Sequence, residues 1–162
     1  MDIELRRTTE NDLSYVLSAE GDDDSSRFIA VWPEEKHRAA LGDENIEHLI
    51  IELKPHSQRI GFAILTGLQG ENRSIEFMRI VVTDKGKGYG RPAVSAIKHH
   101  AFDELSAHRL WLDVKEQNTR ARAVYEKEGF RYEGTLRECL KGPEGFESLM
   151  VMSILEQEYH DA

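Results

Sequence analysis

Three glycines at alternate positions, Gly86, Gly88 and Gly90, follow a short run of β-branched apolar residues at 80–82. The run is typical of a buried strand, and Pro92 with the apolar stripe after it predicts a helix that begins just beyond the glycines. Such a junction directs backbone N–H groups and the positive end of a helix dipole at one point, which favours a bound phosphate. A plain flexible turn between strand and helix is the alternative interpretation.

Spacing separates this loop from two other phosphate-binding loops. A P-loop requires G-x-x-x-x-G-K-[ST], which the sequence lacks. The dinucleotide fingerprint requires G-x-G-x-x-G, and counting from Gly86 puts Arg91 where its third glycine belongs. A protein that binds ATP or NAD with this loop is therefore only a third hypothesis.

A second pattern lies on the helix predicted after the fifth strand. It consists of Asn118, Ala121 and Tyr125, with Gly129 and Phe130 directly after the helix. Each residue also has an ordinary structural interpretation when taken alone. Asn118 is a good helix N-cap, Tyr125 on an apolar face is typical of a core tyrosine, and Gly129 suits the end of a helix.

Together the two patterns resemble the GNAT family of N-acetyltransferases, in which a Q/R-x-x-G-x-G/A loop precedes N-x-x-A-x-x-x-Y and G-F. The resemblance covers roughly 75–140 and is greatest to the branch that acetylates ribosomal-protein N-termini, although Lys85 stands where the family has Gln or Arg. It implies acetyl-CoA as the acyl donor, with the Asn118 side chain on the pantetheine arm and the Tyr125 hydroxyl at the sulfur as general acid. The other residues expected at acetyl-CoA are Ile80, Val81, Val82, Lys85, Gly86, Lys87, Gly88, Tyr89, Gly90 and Arg91.

Acetyl transfer to an amine also needs a base, because an alkylammonium ion must lose a proton before it attacks. Glu76 is our candidate, and simple alternation along its strand predicts that it shares a face with Met78, Ile80 and Val82. A surface or inter-strand carboxylate is the alternative role for Glu76. We expect a groove where this strand splays from its parallel neighbour, with freed N–H groups near Val82 polarising the acetyl carbonyl.

The resulting hypothesis is direct transfer of an acetyl group from acetyl-CoA to a primary amine within a ternary complex. The acceptor is an amine-bearing small molecule or a peptide or protein N-terminus, and its contacts are expected from 21–41 and the final hairpin. Trp32, in the first of these regions, either contacts the acceptor or packs in the core. A non-catalytic acetyl-CoA-binding sensor is the alternative function, and a homodimer through the closing strands is a further expectation.

The elements that position these residues are predicted in the order β-α-α-β-β-β-α-β-α-β-β. A strand ending at Val82, a helix over 92–105 and a strand over 110–114 form one right-handed crossover, so the two strands should lie parallel. The order predicts an α+β fold, a single mixed and mostly antiparallel sheet of about seven strands, with a central parallel pair flanked by about four helices. We expect one domain over 1–162.

Composition limits the partners of the chain. A net charge of -9 argues against a nucleic-acid binder and permits a cationic acceptor. No apolar run approaches the ~20 residues of a membrane span, and Cys139 is the single cysteine, so we expect a cytoplasmic protein without disulfides or membrane contact. His99 and His100 are adjacent on a predicted helix and point about 100° apart, so no metal site is expected.

Overall fold

A computed structural model describes residues 1–22 and 30–162 of the chain. The strands are β1 (Ile3–Arg7), β2 (Ile46–Leu53), β3 (Gln58–Thr66), β4 (Ser74–Val82), β5 (Arg109–Lys115), β6 (Arg131–Gly142) and β7 (Gly145–Leu155). Within the described ranges the α-helices are α1 (Leu13–Glu20), α2 (Glu34–Leu41), α3 (Gly90–His99), α4 (Thr119–Lys127) and α5 (Glu156–Asp161).

One mixed sheet joins all seven strands in the order β1-β2-β3-β4-β5-β7-β6. Only β4 and β5 lie parallel, and the other neighbouring strands pair antiparallel. The predicted α+β architecture with a central parallel pair is therefore confirmed. Every helix in the described ranges is too short or too polar to cross a membrane.

The helix α5 is the element that the sequence prediction missed. It follows β7 directly, where the carboxylate of Glu158 accepts a hydrogen bond from the backbone N–H of Leu155 at 3.0 Å. The ring of Tyr159 stacks on Phe102 with 4.8 Å between ring centroids, which holds the helix against the turn that follows α3, His100–Glu104. Six residues are too few for an apolar periodicity to be recognised, so only these tertiary contacts define the helix.

Apolar side chains cover both faces of the sheet. One cluster lies beneath α3 and α4 and includes Ile97, Leu110 and Tyr125. The other lies beneath α1 and α2 and includes Val16 and Phe62. The two faces of β4 therefore meet different helices, and the face on which each β4 side chain lies decides what it can contact.

A β-bulge at Met78 interrupts the alternation of β4. Leu65 of β3 is opposite Phe77, but the preceding residue, Ile64, is opposite Arg79. Met78 is thus the extra residue on the β4 side, and a bulge of this kind bends the strand and changes its twist locally.

The bulge corrects the predicted orientation of Glu76. Phe77 and Ile80, three residues apart, both lie in the cluster beneath α3 and α4, and Val82 packs against the same cluster. Glu76 lies on the opposite face, where Met78 packs against the cluster beneath α1 and α2. The expectation that Glu76 faces with Ile80 and Val82 is wrong, because it assumed an unbroken period of two.

A buried polar network ties this second face together. The carboxylate of Glu20, which is fully buried, accepts hydrogen bonds from the Trp32 backbone N–H at 2.9 Å, from His37 Nε2 at 2.8 Å and from the Arg79 guanidinium. His37 Nδ1 lies 3.1 Å from His48 Nε2. Burial opposes ionisation of Glu20, but the bonds from His37 and Trp32 and the charge of Arg79 outweigh it and lower the Glu20 pKa.

Trp32 belongs to this network and to the core. Its side chain is buried, with the Arg79 guanidinium 5.2 Å and the Lys36 ammonium 4.4 Å from the ring centroid. The core role of Trp32 is therefore the one that the structure supports.

We predict that Glu20→Ala lowers the free energy of unfolding by about 3–5 kcal/mol, because it leaves the buried Arg79 charge without its carboxylate. Glu10→Ala is the matched control, since Glu10 forms an exposed ion pair with Arg38 at 2.6 Å and should contribute less than about 1 kcal/mol. Urea denaturation of both variants measures the difference. Equal losses would contradict a stabilising role for the network.

Candidate active site

The parallel pair opens into a cleft. β4 and β5 are paired at only three positions, Ser74 with Arg109, Ile75 with Leu110 and Glu76 with Trp111. Beyond them, 77–82 of β4 pair with β3 alone, while 112–115 of β5 pair with β7. Alternate backbone N–H groups of β4 therefore face the cleft without a strand partner. The separation of the two strands that the sequence predicted is present at this position.

The glycine loop joins the cleft to the start of α3. Gly86 and Gly88 have φ angles of +86° and +78°, in the left-handed region that favours glycine, and a Cβ at either position would meet open space. α3 begins at Gly90, and no side chain among the described residues caps its first turn. The N–H groups of this turn are thus available to an anion.

Cations surround the loop. Lys85, Lys87 and Arg91 are all exposed, and Arg91 forms an ion pair with Glu128 at the end of α4. Lys98 also contacts Glu128, at 3.3 Å. Glu128 therefore holds the start of α3 against α4. A phosphate that binds the Arg91 guanidinium would have to compete with the Glu128 carboxylate.

The helix α4 places the second sequence pattern beside the cleft. The side-chain oxygen of Asn118 accepts a hydrogen bond from the Ala121 backbone N–H at 3.3 Å, which confirms that Asn118 caps the helix. Its NH₂ group can still donate to a carbonyl of the pantetheine arm. Tyr125 packs edge-on against Phe77 and Phe130, with centroid distances of 6.3 and 5.6 Å.

Tyr125 is a buried residue whose hydroxyl keeps its proton at neutral pH. Burial and then the charge of Asp113 raise the Tyr125 pKa to about 12, and the described residues provide no hydrogen-bond partner for the hydroxyl. The hydroxyl is therefore protonated throughout the neutral range. Packing in the core and donating a proton are compatible roles for this side chain.

Two carboxylates lie on the other face, at the mouth of the cleft. Glu76 is half-buried and accepts a hydrogen bond from Thr66 at 3.3 Å. Burial, followed by the charge of Asp113, raises the Glu76 pKa, and burial raises the Asp113 pKa. Sequence analysis missed Asp113, because an acidic residue at an alternating strand position is typical of a solvent-facing side chain.

The region predicted to contact the acceptor is described only in part, since residues 23–29 lie outside the described ranges. A cavity of about 390 Å³ lies between α1 and the end of β4. The cavity is lined by Tyr15, Ser18, Ala19, Asp22 and Thr83.

Within residues 1–22 and 30–162, no group of His, Cys, Asp and Glu is arranged to hold a metal ion.

We predict that Gly88→Ala weakens CoA binding about tenfold, because an L-residue with a side chain is strained by roughly 1–2 kcal/mol at this positive φ angle and the loop must shift its N–H groups. Gly70→Ala is the control, since its Cβ would be 3.5 Å from the nearest carbonyl oxygen at an ordinary φ angle. Calorimetric titration with CoA compares the two variants. Identical affinities would contradict the assignment of the loop.

Curated proteins with related sequences are N-acetyltransferases. The chain is 28% identical over 117 residues to spermidine N(1)-acetyltransferase of Vibrio cholerae, covering 72% of this chain and 68% of that protein. It is 26% identical over 145 residues to spermidine N(1)-acetyltransferase of Escherichia coli K12, covering 83% and 75%. An uncharacterised N-acetyltransferase of Mycobacterium tuberculosis is 30% identical over 121 residues, which cover 65% of this chain and 74% of that protein.

Solved structures share the fold. The crystal structure of spermidine N-acetyltransferase from Vibrio cholerae in complex with CoA and spermine superimposes with a TM-score of 0.88 over 98% of both chains, at 23% identity. The relatives named by substrate are spermidine acetyltransferases, so the expected resemblance to the ribosomal-protein branch is supported only at the level of the family.

The model of the acetyltransferase (GNAT) domain matches residues 2–131. The chain therefore belongs to the GNAT family and is an N-acetyltransferase that uses acetyl-CoA as its acyl donor.

Proposed function

We propose that this protein transfers the acetyl group of acetyl-CoA to a primary amino group of a polyamine of the spermidine class. The observation that carries the proposal is the opening of the β4–β5 pair immediately after Glu76 and Trp111. It leaves a cleft with a phenolic donor, Tyr125, on the α4 side and a carboxylate, Glu76, on the opposite face.

The residues around the cleft suit an acyl thioester of this size. The N–H groups of the glycine loop and of the first turn of α3 bind the pyrophosphate, and Lys85 and Lys87 add positive charge. The NH₂ group of Asn118 and the unpaired N–H groups of β4 bind the pantetheine arm. An N–H group near Val82 donates to the acetyl carbonyl and stabilises the negative charge that develops on its oxygen.

Two side chains move the protons. Glu76 accepts a proton from the acceptor ammonium, directly or through one water, and its raised pKa improves it as a base near neutral pH. The neutral nitrogen then forms the new C–N bond as the C–S bond breaks. The extra proton on the amide nitrogen passes to solvent, and solvent returns a proton to Tyr125 after it has protonated the thiolate. The Tyr125 hydroxyl donates to the departing sulfur, whose charge it stabilises. Acetyl-CoA supplies only the activated acetyl group.

A small polyamine suits the charge of the cleft better than a protein N-terminus does. Glu76 and Asp113 carry negative charge on the face where the acceptor must approach, and the whole chain has a net charge of -9. Two of the related proteins are named for spermidine. A polyamine brings several ammonium groups to such a site, whereas an N-terminus brings one.

We expect release of CoA thiol with spermidine or spermine, and much slower release with N-terminal peptides, amino acids and aminoglycosides. A thiol-reactive reagent follows the release under initial-rate conditions with purified protein. A preference for a peptide N-terminus would contradict the polyamine assignment. If the protein bound CoA but acetylated no amine, the sensor hypothesis would replace the enzyme.

Tyr125→Phe tests the chemistry in the same assay. Removal of the hydroxyl should lower kcat by about a hundredfold or more, because the developing thiolate loses its proton donor. The CoA affinity should stay within about twofold, since the ring contacts with Phe77 and Phe130 are kept. Unchanged kcat in this variant would remove Tyr125 from the mechanism.

Two earlier expectations remain predictions. The cytoplasm is the expected location. A homodimer is expected through the β6–β7 hairpin, because several large apolar side chains are exposed on it and β6 forms an edge of the sheet. These side chains are Tyr132, Leu136, Leu140, Phe146 and Leu155.

A further inference from the structure

Asp113 occupies a defined place on the acceptor side of the cleft. Trp111 is opposite Glu76 in the last pair of the parallel strands, and Asp113 follows two residues later on β5. Side chains two residues apart on a strand share a face, so Asp113 lies on the same face as Trp111 and Glu76. It is the first residue of this face beyond the point where β4 leaves β5.

The Asp113 carboxylate is exposed and has no hydrogen-bond or ion-pair partner among residues 1–22 and 30–162. The cations nearest along its strand are bound elsewhere. Lys115 contacts Glu147 at 3.1 Å, and Arg109 forms an ion pair with Glu133 at 2.8 Å. Since these neighbours already have partners, Asp113 is left to bind a positive charge that arrives with the acceptor.

The position of Asp113 links it to both groups proposed to move protons. After burial, the charge of Asp113 is the second cause that raises the pKa of Glu76 and of Tyr125. Two carboxylates that repel each other at one site are stabilised by a cation between them. A cation bound there would lie beside the reacting atoms.

We infer that Asp113 is an acceptor-binding residue that holds the second ammonium group of a di- or polyamine while Glu76 faces the amino group that is acetylated. The inference rests on the proposed function and names a residue that selects the amine substrate of the enzyme. Asp113 therefore distinguishes a diamine from a monoamine of the same length.

The spacing of the strands agrees with this division of roles. Asp113 lies about 6.6 Å along β5 from Trp111, and neighbouring strands are about 4.8 Å apart, so its Cα is about 8 Å or more from that of Glu76. Ammonium groups separated by three methylenes are about 5 Å apart in an extended chain. With hydrogen bonds of about 2.8 Å at each end, one diamine can reach both carboxylates.

The test compares 1,3-diaminopropane with n-butylamine, in which a methyl group replaces the second ammonium. We expect wild type to prefer the diamine, and Asp113→Asn to lower kcat/KM for the diamine and for spermidine about tenfold or more, mainly through KM. The value for n-butylamine should stay within about twofold. Asp113→Glu should keep most of the preference, because it keeps the charge.

Glu126→Gln is the control for loss of one negative charge, since Glu126 is exposed on α4. It should leave the preference unchanged. An Asp113→Asn variant that keeps the wild-type preference, or loses activity equally with both amines, would overturn the inference and leave the proposed function standing.

The two failures can be told apart. Wild type alone decides the proposed function, because it either acetylates polyamines or does not. If it acetylates none, spermidine binding to the CoA complex, measured by calorimetry, decides the inference. Weaker binding by Asp113→Asn than by wild type would support it, and equal dissociation constants would overturn it.

Discussion

The site depends on the incomplete pairing of β4 with β5 at the centre of the sheet. β4 and β5 hydrogen-bond at three positions and then separate, although each remains fully held by its outer neighbour. Unpaired backbone N–H groups normally destabilise a buried strand, so the opening is tolerated only where a ligand can complete the pairing. Because the family uses acetyl-CoA, we propose that the acyl donor is the ligand that completes this pairing.

The two faces of the sheet supply different chemistry to this opening. The face beneath α3 and α4 contributes Tyr125, held by aromatic contacts in an apolar cluster that keeps its hydroxyl protonated. The opposite face contributes Glu76 and Asp113, and the repulsion between their charges favours a positively charged acceptor. The Met78 bulge matters because it turns Ile80 and Val82 to the face opposite Glu76. We therefore propose that donor and acceptor enter from opposite faces and meet between the strands.

The sequence predicted what depends on neighbouring residues and missed what depends on distant ones. The glycines at 86 and 88 have positive φ angles, as a loop that exposes its N–H groups requires, and all seven strands form. The orientation of Glu76 was wrong because the bulge is set by the register with β3. Asp113 was missed because its significance arises only where β4 and β5 separate, and α5 because its six residues have no pattern of their own.

Amide hydrogen exchange with and without CoA tests whether the donor binds along the open edge of β4. If the pantetheine arm completes that edge, CoA should slow exchange in 77–82 and in the loop over 85–91, with little change in β1 and β2. We expect protection of both segments in the same complex. Saturating CoA that protects the loop but leaves 77–82 unchanged would contradict it, because the donor would then bind outside the cleft.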